Sequence, residues 1–168
     1  MDRRKKVVIA LAGAALSLGL AFLIFGGGGG PYGSSPSAAA PGRQGAPGVA
    51  VATSKLGQIL VDGTGRTLYL FEADTNGSSA CDATCAQAWP PLIAKGPVTA
   101  GNGANGANAT ELGSTTRKDG STQVTYNGHP LYNFSGDVKA GDTTGQGSHA
   151  FGADWYVLAP TGDKIDNG

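Results

Sequence analysis

Apolar residues recur along this chain in short alternating runs, not on helical faces. Val49-Ala50-Val51-Ala52-Thr53 is a β-prone start. Ile59-Leu60-Val61, the polar Asp62-Gly63-Thr64-Gly65 and then Thr67 to Phe71 predict strand, turn and strand. In the last of these runs Leu68 and Leu70 point one way and Tyr69 and Phe71 the other. Both faces are apolar, so this strand is expected to be central. Thr115-Thr116-Arg117-Lys118, Asp119-Gly120 and Gln123-Val124-Thr125-Tyr126 predict a hairpin, and Asn127-Gly128 turns the chain again into His129 to Phe134. Asp-Gly and Asn-Gly suit tight turns whose central residues take positive φ. Asp154 to Leu158 predicts a last strand. Cys81 to Trp89 fits one or two helical turns, ended by Pro90-Pro91. Ala94 to Ala109 is mostly Gly, Asn and Ala and reads as a long loop.

The pattern occurs twice. Leu68-Tyr69-Leu70-Phe71-Glu72-Ala73-Asp74 returns as Leu131-Tyr132-Asn133-Phe134-Ser135-Gly136-Asp137, both reading Leu-Tyr-x-Phe-x-x-Asp. Upstream, at the same offset, Val61 matches Val124 and Gly65 matches Gly128. Downstream, Trp89-Pro90-Pro91-Leu92 answers Trp155-Tyr156-Val157-Leu158. This predicts a mainly β, single small domain of two fused internal repeats over 49–160. The repeats cover about 56–92 and about 123–160. Mostly antiparallel hairpins and a short helix make up the domain, and 161–168 is expected to be a flexible tail. Neither repeat has enough apolar residues to fold alone. The equivalent Tyr and Phe pairs are therefore expected to approach one another across a pseudo-twofold axis.

The N-terminus differs in kind. Residues 1–6 carry Arg3, Arg4, Lys5 and Lys6, and Val7 to Phe25 follows without a charge. A run of that length is a membrane anchor or a signal sequence cleaved on export; its length favours the anchor. The basic cluster predicts an N-in, C-out orientation. The folded domain is then extracytoplasmic, tethered to the membrane through 7–25, or secreted after cleavage. Residues 26–48, almost all Gly, Pro, Ser and Ala, read as a flexible tether.

A formal net charge of zero hides a split. Beyond residue 48, seven basic against eleven acidic side chains leave a net charge of −4. A mildly acidic domain without basic clusters argues against nucleic acid as a partner.

Cys81 and Cys85 are the only cysteines. An even count in an exported chain points to a disulfide, with redox thiols or ligation of a metal or cofactor as alternatives. The spacing and the following Ala86 do not fit covalent haem attachment. His129 and His149 are the only histidines and are candidates for a metal site. No cofactor and no catalytic group is expected. Asp74 and Asp137 each end a strand and open a polar loop. A carboxylate there caps loop N–H groups, and the two are expected to be interchangeable in role. The alternative is Ca²⁺ ligation by Asp74, Asn76 and Ser78. Tyr69, Phe71, Trp89, Tyr132, Phe134 and Trp155 are expected to share a core.

These residues resemble the exported bacterial repeat proteins and lipoproteins defined by a Tyr-x-aromatic-x-x-Asp motif, the secreted repeat of unknown function. Tyr69 to Asp74, Tyr132 to Asp137, Cys81-x-x-x-Cys85-Ala86, Trp89-Pro90-Pro91-Leu92 and Gly145-Gln146-Gly147 before Trp155-Tyr156-Val157-Leu158 carry the resemblance. It implies a cell-envelope location and no established reaction. Many members carry an acylated N-terminal cysteine, which this chain lacks. Two function classes follow. One is a non-enzymatic, membrane-tethered envelope protein that binds or scaffolds an envelope protein or a small ligand. The other is an extracytoplasmic redox or metal-handling protein using Cys81, Cys85, His129 and His149.

Overall fold

Short strands with apolar residues on both faces must be covered on both sides, and here they form three narrow sheets packed on one another's faces. The computed structural model describes residues 48–101 and 106–166. The apolar run Val7–Phe25 and residues 26–47 of the tether lie outside the described residues, while Gly48 opens the first strand. Among the described residues no helix is long and apolar enough to cross a membrane.

Strands β1 (Gly48–Ser54) and β2 (Gly57–Asp62) form an antiparallel hairpin, and β4 (Thr99–Ala100) pairs with β1 in parallel. Strand β3 (Tyr69–Phe71) is followed by a helix, α1 (Ala83–Ala88). After a single 3₁₀ turn, β5 (Leu112–Thr116), β6 (Thr122–Tyr126) and β7 (His129–Pro130) form the second sheet. The third sheet has the order β3–β9–β8, with β8 at Ser148–Ala150 and β9 at Ala153–Val157. The expected long loop over 94–109 thus contains β4, and Ala107 within it is buried. The turn after β6 has Asn127 and Gly128 at φ 47° and 78°, the conformation its Asn-Gly sequence favours. At Asp119-Gly120 only Gly120 is left-handed, because Arg117 pairs with Ser121 across a longer turn.

The two repeats close each other. β3, from the first repeat, pairs with β9, from the end of the second: Tyr69 faces Val157, Leu70 faces Tyr156 and Phe71 faces Trp155. In return, the end of the first repeat bridges the second at Pro91–Tyr132 and Ile93–Gln123. The backbone shows the same exchange. Leu60 N–H donates to Leu158, Leu158 to Leu68 and Leu68 to Leu60, a closed ring of three bonds. Val124, Leu92 and Leu131 form the matching ring. Each ring takes two residues from one repeat and one from the other. The rings also correct the upstream alignment: Leu60, not Val61, is the counterpart of Val124. The first turn, closed from Asp62 N–H to Arg66 O, is one residue longer than the Tyr126–His129 turn.

Two apolar clusters result, and both draw on both repeats. One is mostly aliphatic, with Leu60, Leu68, Leu70, Leu92, Val124, Leu131 and Leu158. The other is aromatic and includes Tyr69, Phe71, Trp89, Tyr132 and Trp155 with both cysteines. Leu68 and Leu70 therefore do face opposite to Tyr69 and Phe71. The expectation of a frayed end beyond Pro160 is corrected up to Asp166, the last described residue. Ile165 N–H donates to Val157 O at 2.8 Å, Ala159 N–H to Asp163 O at 2.9 Å, and Lys164 bridges Leu158.

Candidate functional site

The motif residues converge where the repeats meet. Tyr69 and Tyr132 exchange backbone hydrogen bonds, Tyr69 N–H to Tyr132 O at 2.8 Å and Tyr132 N–H to Tyr69 O at 3.0 Å. This pair lies on the pseudo-twofold axis. The side chains then cross over. Tyr69 Oη donates to Asp137 Oδ2 at 2.7 Å, and Tyr132 Oη donates to Asp74 Oδ2 at 2.8 Å. Each tyrosine is thus bound to the aspartate of the other repeat.

The second oxygen of each aspartate closes its own loop. Asp74 Oδ1 accepts from Ala80 N–H at 2.7 Å. Asp137 Oδ1 accepts from Thr144 N–H at 2.9 Å and from Thr144 Oγ1 at 2.6 Å. The geometry is that of a cap on loop donors, with a cross-repeat bond added to each. Both Asp74 oxygens are occupied by protein donors. Among the described residues no group of three or more His, Cys, Asp or Glu side chains is placed to hold a metal ion.

The aromatic rings follow the same crossed plan. Trp89 and Trp155 stack with centroids 3.9 Å apart and planes 4° apart. Phe71 of the first repeat stacks on Trp155 of the second at 4.1 Å, and Phe134 of the second lies over Trp89 of the first at 4.3 Å. The result is a four-ring column, Phe71–Trp155–Trp89–Phe134. Tyr69 meets Trp89 edge-on at 5.3 Å, and Tyr132 meets Trp155 edge-on at 5.2 Å. The two tyrosines approach as expected. The two phenylalanines do not, because both indoles stand between them. The Gly145-Gln146-Gly147 stretch has a steric reason: a Cβ on Gly145 would lie 2.6 Å from Trp89 Cη2.

Burial moves the titrations of these groups. Tyr69 is raised well above the usual tyrosine range, first by burial and then by the hydrogen bond and negative charge of Asp137. Tyr132 is raised too, first by burial; the Ser79 hydroxyl works against this and the Asp74 charge adds to it. Asp74 is raised by burial, against the Ala80 and Tyr132 hydrogen bonds and the charge of Arg117.

Cys81 and Cys85 form a disulfide with a Cα separation of 5.2 Å, joining the loop after Asp74 to helix α1. Beside it lies a cluster the sequence did not announce. The buried Arg117 donates to Ser79 Oγ at 2.7 Å, Gln123 Oε1 at 2.5 Å and Cys81 O at 2.5 Å. Gln123 Nε2 donates to Leu131 O at 2.8 Å, and Ser79 Oγ lies 2.8 Å from Tyr132 Oη. No spacing rule marks Arg117. The one available signal was Gln123, a polar residue inside an apolar strand, which calls for a buried partner.

The histidines lie elsewhere. His129 is half-buried on β7 and lines an open groove of about 510 Å³ with Leu70, Phe71, Glu72, Asp74, Asp163 and Lys164. Lys164 is paired there with Glu72 at 2.7 Å. His149 is exposed on β8, with its Nδ1 against Asp154 Oδ1.

No match is found among curated proteins or among solved structures. A family match covers two stretches, 50–93 and 113–159. Each stretch starts earlier than the repeats the motif alone suggested. The first takes in most of β1 and the second most of β5, so each repeat opens with its own hairpin, β1–β2 or β5–β6. With both stretches matched over more than half of its length, the chain belongs to the family described as a secreted repeat of unknown function.

Proposed function

We propose that this protein is a non-enzymatic, membrane-tethered module of the cell envelope that binds or scaffolds a partner outside the cytoplasm. Residues 7–25 hold it to the bilayer and 26–48 give the domain reach. One observation carries the reading: the motif side chains are turned inward and bound to the other repeat, Tyr69 to Asp137 and Tyr132 to Asp74. The motif serves to build a rigid platform, so recognition falls to the outer surface. The groove beside His129 and Lys164 combines the apolar edge of Leu70 and Phe71 with charges of both signs. That mixture suits a polar peptide or small ligand better than a purely apolar one.

The test is capture from the protein's own envelope with the full-length chain, comparing wild type with a His129→Ala, Lys164→Glu variant. Saturable capture of the same species in repeat experiments, weakened in the variant, is the expected result. Capture that the variant leaves unchanged removes the groove from the proposal. Intact mass with and without reductant and metal analysis of the same sample test the other class. Reduction is expected to add two hydrogens and nothing else. A stoichiometric metal would favour a redox or metal-handling protein using Cys81, Cys85, His129 and His149.

A further inference from the structure

The four-ring column and the two phenol–carboxylate pairs have a property that packing alone does not require. Trp89 and Trp155 overlap almost parallel at 3.9 Å. Overlapping indoles share a positive charge, which makes the loss of one electron easier than from either ring alone. Tyr69 and Tyr132 stand at the edges of this pair, at 5.3 and 5.2 Å. A phenol gives up an electron readily only when its proton has somewhere to go. Here each phenol already donates to a carboxylate, at 2.7 Å for Tyr69 and 2.8 Å for Tyr132. Tyr126 is an internal contrast. It is equally buried, but its Oη donates to the Pro160 carbonyl at 2.8 Å, an oxygen that cannot keep a proton. The two cysteines of the same cluster are joined to each other, so no thiol competes as an electron donor.

We propose that this centre is a one-electron relay, which takes the oxidising equivalent of a strongly oxidising radical and holds it as a tyrosyl radical. In the first step the external radical takes one electron from the Trp89–Trp155 pair and is itself reduced. A radical cation shared by the two indoles remains. In the second step Tyr69 or Tyr132 passes one electron to that cation. At the same time its phenolic proton crosses the existing hydrogen bond to Asp137 or Asp74. The products are a restored indole pair, a neutral tyrosyl radical and a protonated carboxylic acid. Reset is the reverse transfer from a small thiolate: it gives one electron to the tyrosyl oxygen and leaves as a thiyl radical, and the proton returns from the aspartate. The twofold arrangement supplies two such sinks around one indole pair.

The experiment oxidises the full-length chain with photogenerated tris(bipyridine)ruthenium(III) and reads radicals by freeze-quench paramagnetic resonance. The chain has five tyrosines, so assignment is tractable. The expected result is a tyrosyl signal that persists in Tyr69→Phe and in Tyr132→Phe, since each leaves the other sink on the same indole pair, is lost in the double variant and is unchanged in Tyr126→Phe. Asp137→Asn keeps an acceptor oxygen but cannot take the proton. Combined with Tyr132→Phe, which removes the second sink, and with near-ultraviolet circular dichroism still native, it is expected to lower the tyrosyl signal and lengthen the tryptophan one. Nitroso spin trapping with peptide mapping of the wild-type chain decides the matter even if a variant fails to fold. Adducts on Tyr69 and Tyr132 support the relay. Adducts confined to Tyr32, Tyr126 or Tyr156, or a tryptophan radical with no tyrosyl signal, overturn it.

Discussion

Asp74 and Asp137 end the same motif in the two repeats, and each accepts from the other repeat's tyrosine, yet their surroundings differ. Asp137 is 5% exposed, and the donors bonded to its side chain, Tyr69 Oη and Thr144 N–H and Oγ1, are all neutral. Asp74 is less deeply set. Its loop is tied a second time by the Cys81–Cys85 disulfide, and the charge of Arg117 reaches it. The difference extends one layer further. Gln123, with its arginine, stands where the first repeat has Ile59, the residue before the ring-forming Leu60. One half closes its loop with hydroxyl and amide donors alone. The other adds a covalent bond and a buried cation. The crossed tyrosine–aspartate contact is what the halves share, and the means of holding each loop is free to diverge.

The largest expected effect tests what is shared. Trp89→Ala and Trp155→Ala should each lose about 3–5 kcal/mol in urea unfolding, because each removes a buried indole stacked on the other and in contact with a phenylalanine. Equal losses fit a centre owned by both repeats. A small loss at either one would assign the column to a single half.

The aspartates come next and are expected to differ. Asp137→Ala strands the Thr144 amide, the Thr144 hydroxyl and the Tyr69 hydroxyl, and should cost about 2–3 kcal/mol. Asp74→Ala leaves the exposed Ala80 amide to water while Tyr132 keeps Ser79 as a neighbour, and should cost about 1 kcal/mol. Asp→Asn at either position should cost less than Ala, since an acceptor oxygen remains. Thermal melts of the four variants check the order; a cost at Asp74 equal to that at Asp137 would restore the interchangeability expected from sequence. A melting temperature of the wild type that falls with EDTA would revive Ca²⁺ ligation.

Removing the disulfide in Cys81→Ser, Cys85→Ser should cost about 2 kcal/mol, the chain-entropy value for so short a loop. Hydrogen exchange should show the added opening in the first repeat, around 74–89, with the 137–145 loop as protected as before. Loss of protection in both loops together would mean that the disulfide supports the shared centre.

The smallest effect concerns acid. Burial holds the Asp74 carboxyl above its ordinary 3.8. A group that binds its proton more tightly when folded stabilises the fold while protonated and loses that contribution as pH rises through its folded pKa. Wild type should therefore gain on Asp74→Asn as the pH falls from neutral to below 3.8. Paired denaturation curves at the two ends of that range measure it. The opposite slope would mean that Arg117 and the hydrogen bonds outweigh burial at this site.

Much of this was legible because it is local. The Tyr-x-Phe-x-x-Asp spacing, the Asn127-Gly128 turn and the opposite faces of Leu68 and Tyr69 depend on neighbours in sequence. The crossing of the contacts was not legible, because a tyrosine hydroxyl carries no mark of which aspartate it will reach. The 68-residue span from Tyr69 to Asp137 is fixed only by pairing of β3 with β9. The one-residue slip between Val61 and Leu60 came from unequal turns, which a constant offset cannot see. Thr161-Gly162-Asp163 has the polar composition of a loose end. Its attachment uses main-chain bonds, which composition does not report. Arg117 was invisible for another reason. A buried arginine resembles any hairpin arginine until Gln123 and the Cys81 carbonyl are seen around it.

The two rings of backbone bonds also fix an order of events as the exported chain emerges. Leu60 and Leu68 emerge early, but the residue that completes their ring is Leu158, at the far end of the second repeat. Leu92 likewise waits for Val124 and Leu131. Each half leaves its ring open and its share of both apolar clusters uncovered until the other arrives, and the many distant pairings slow the search for the native state. The cysteines are free of that delay. They lie four residues apart and have no rivals, so they can be joined correctly before the second repeat has emerged. The covalent bond comes first, and the fold is set only once Leu158 is in place.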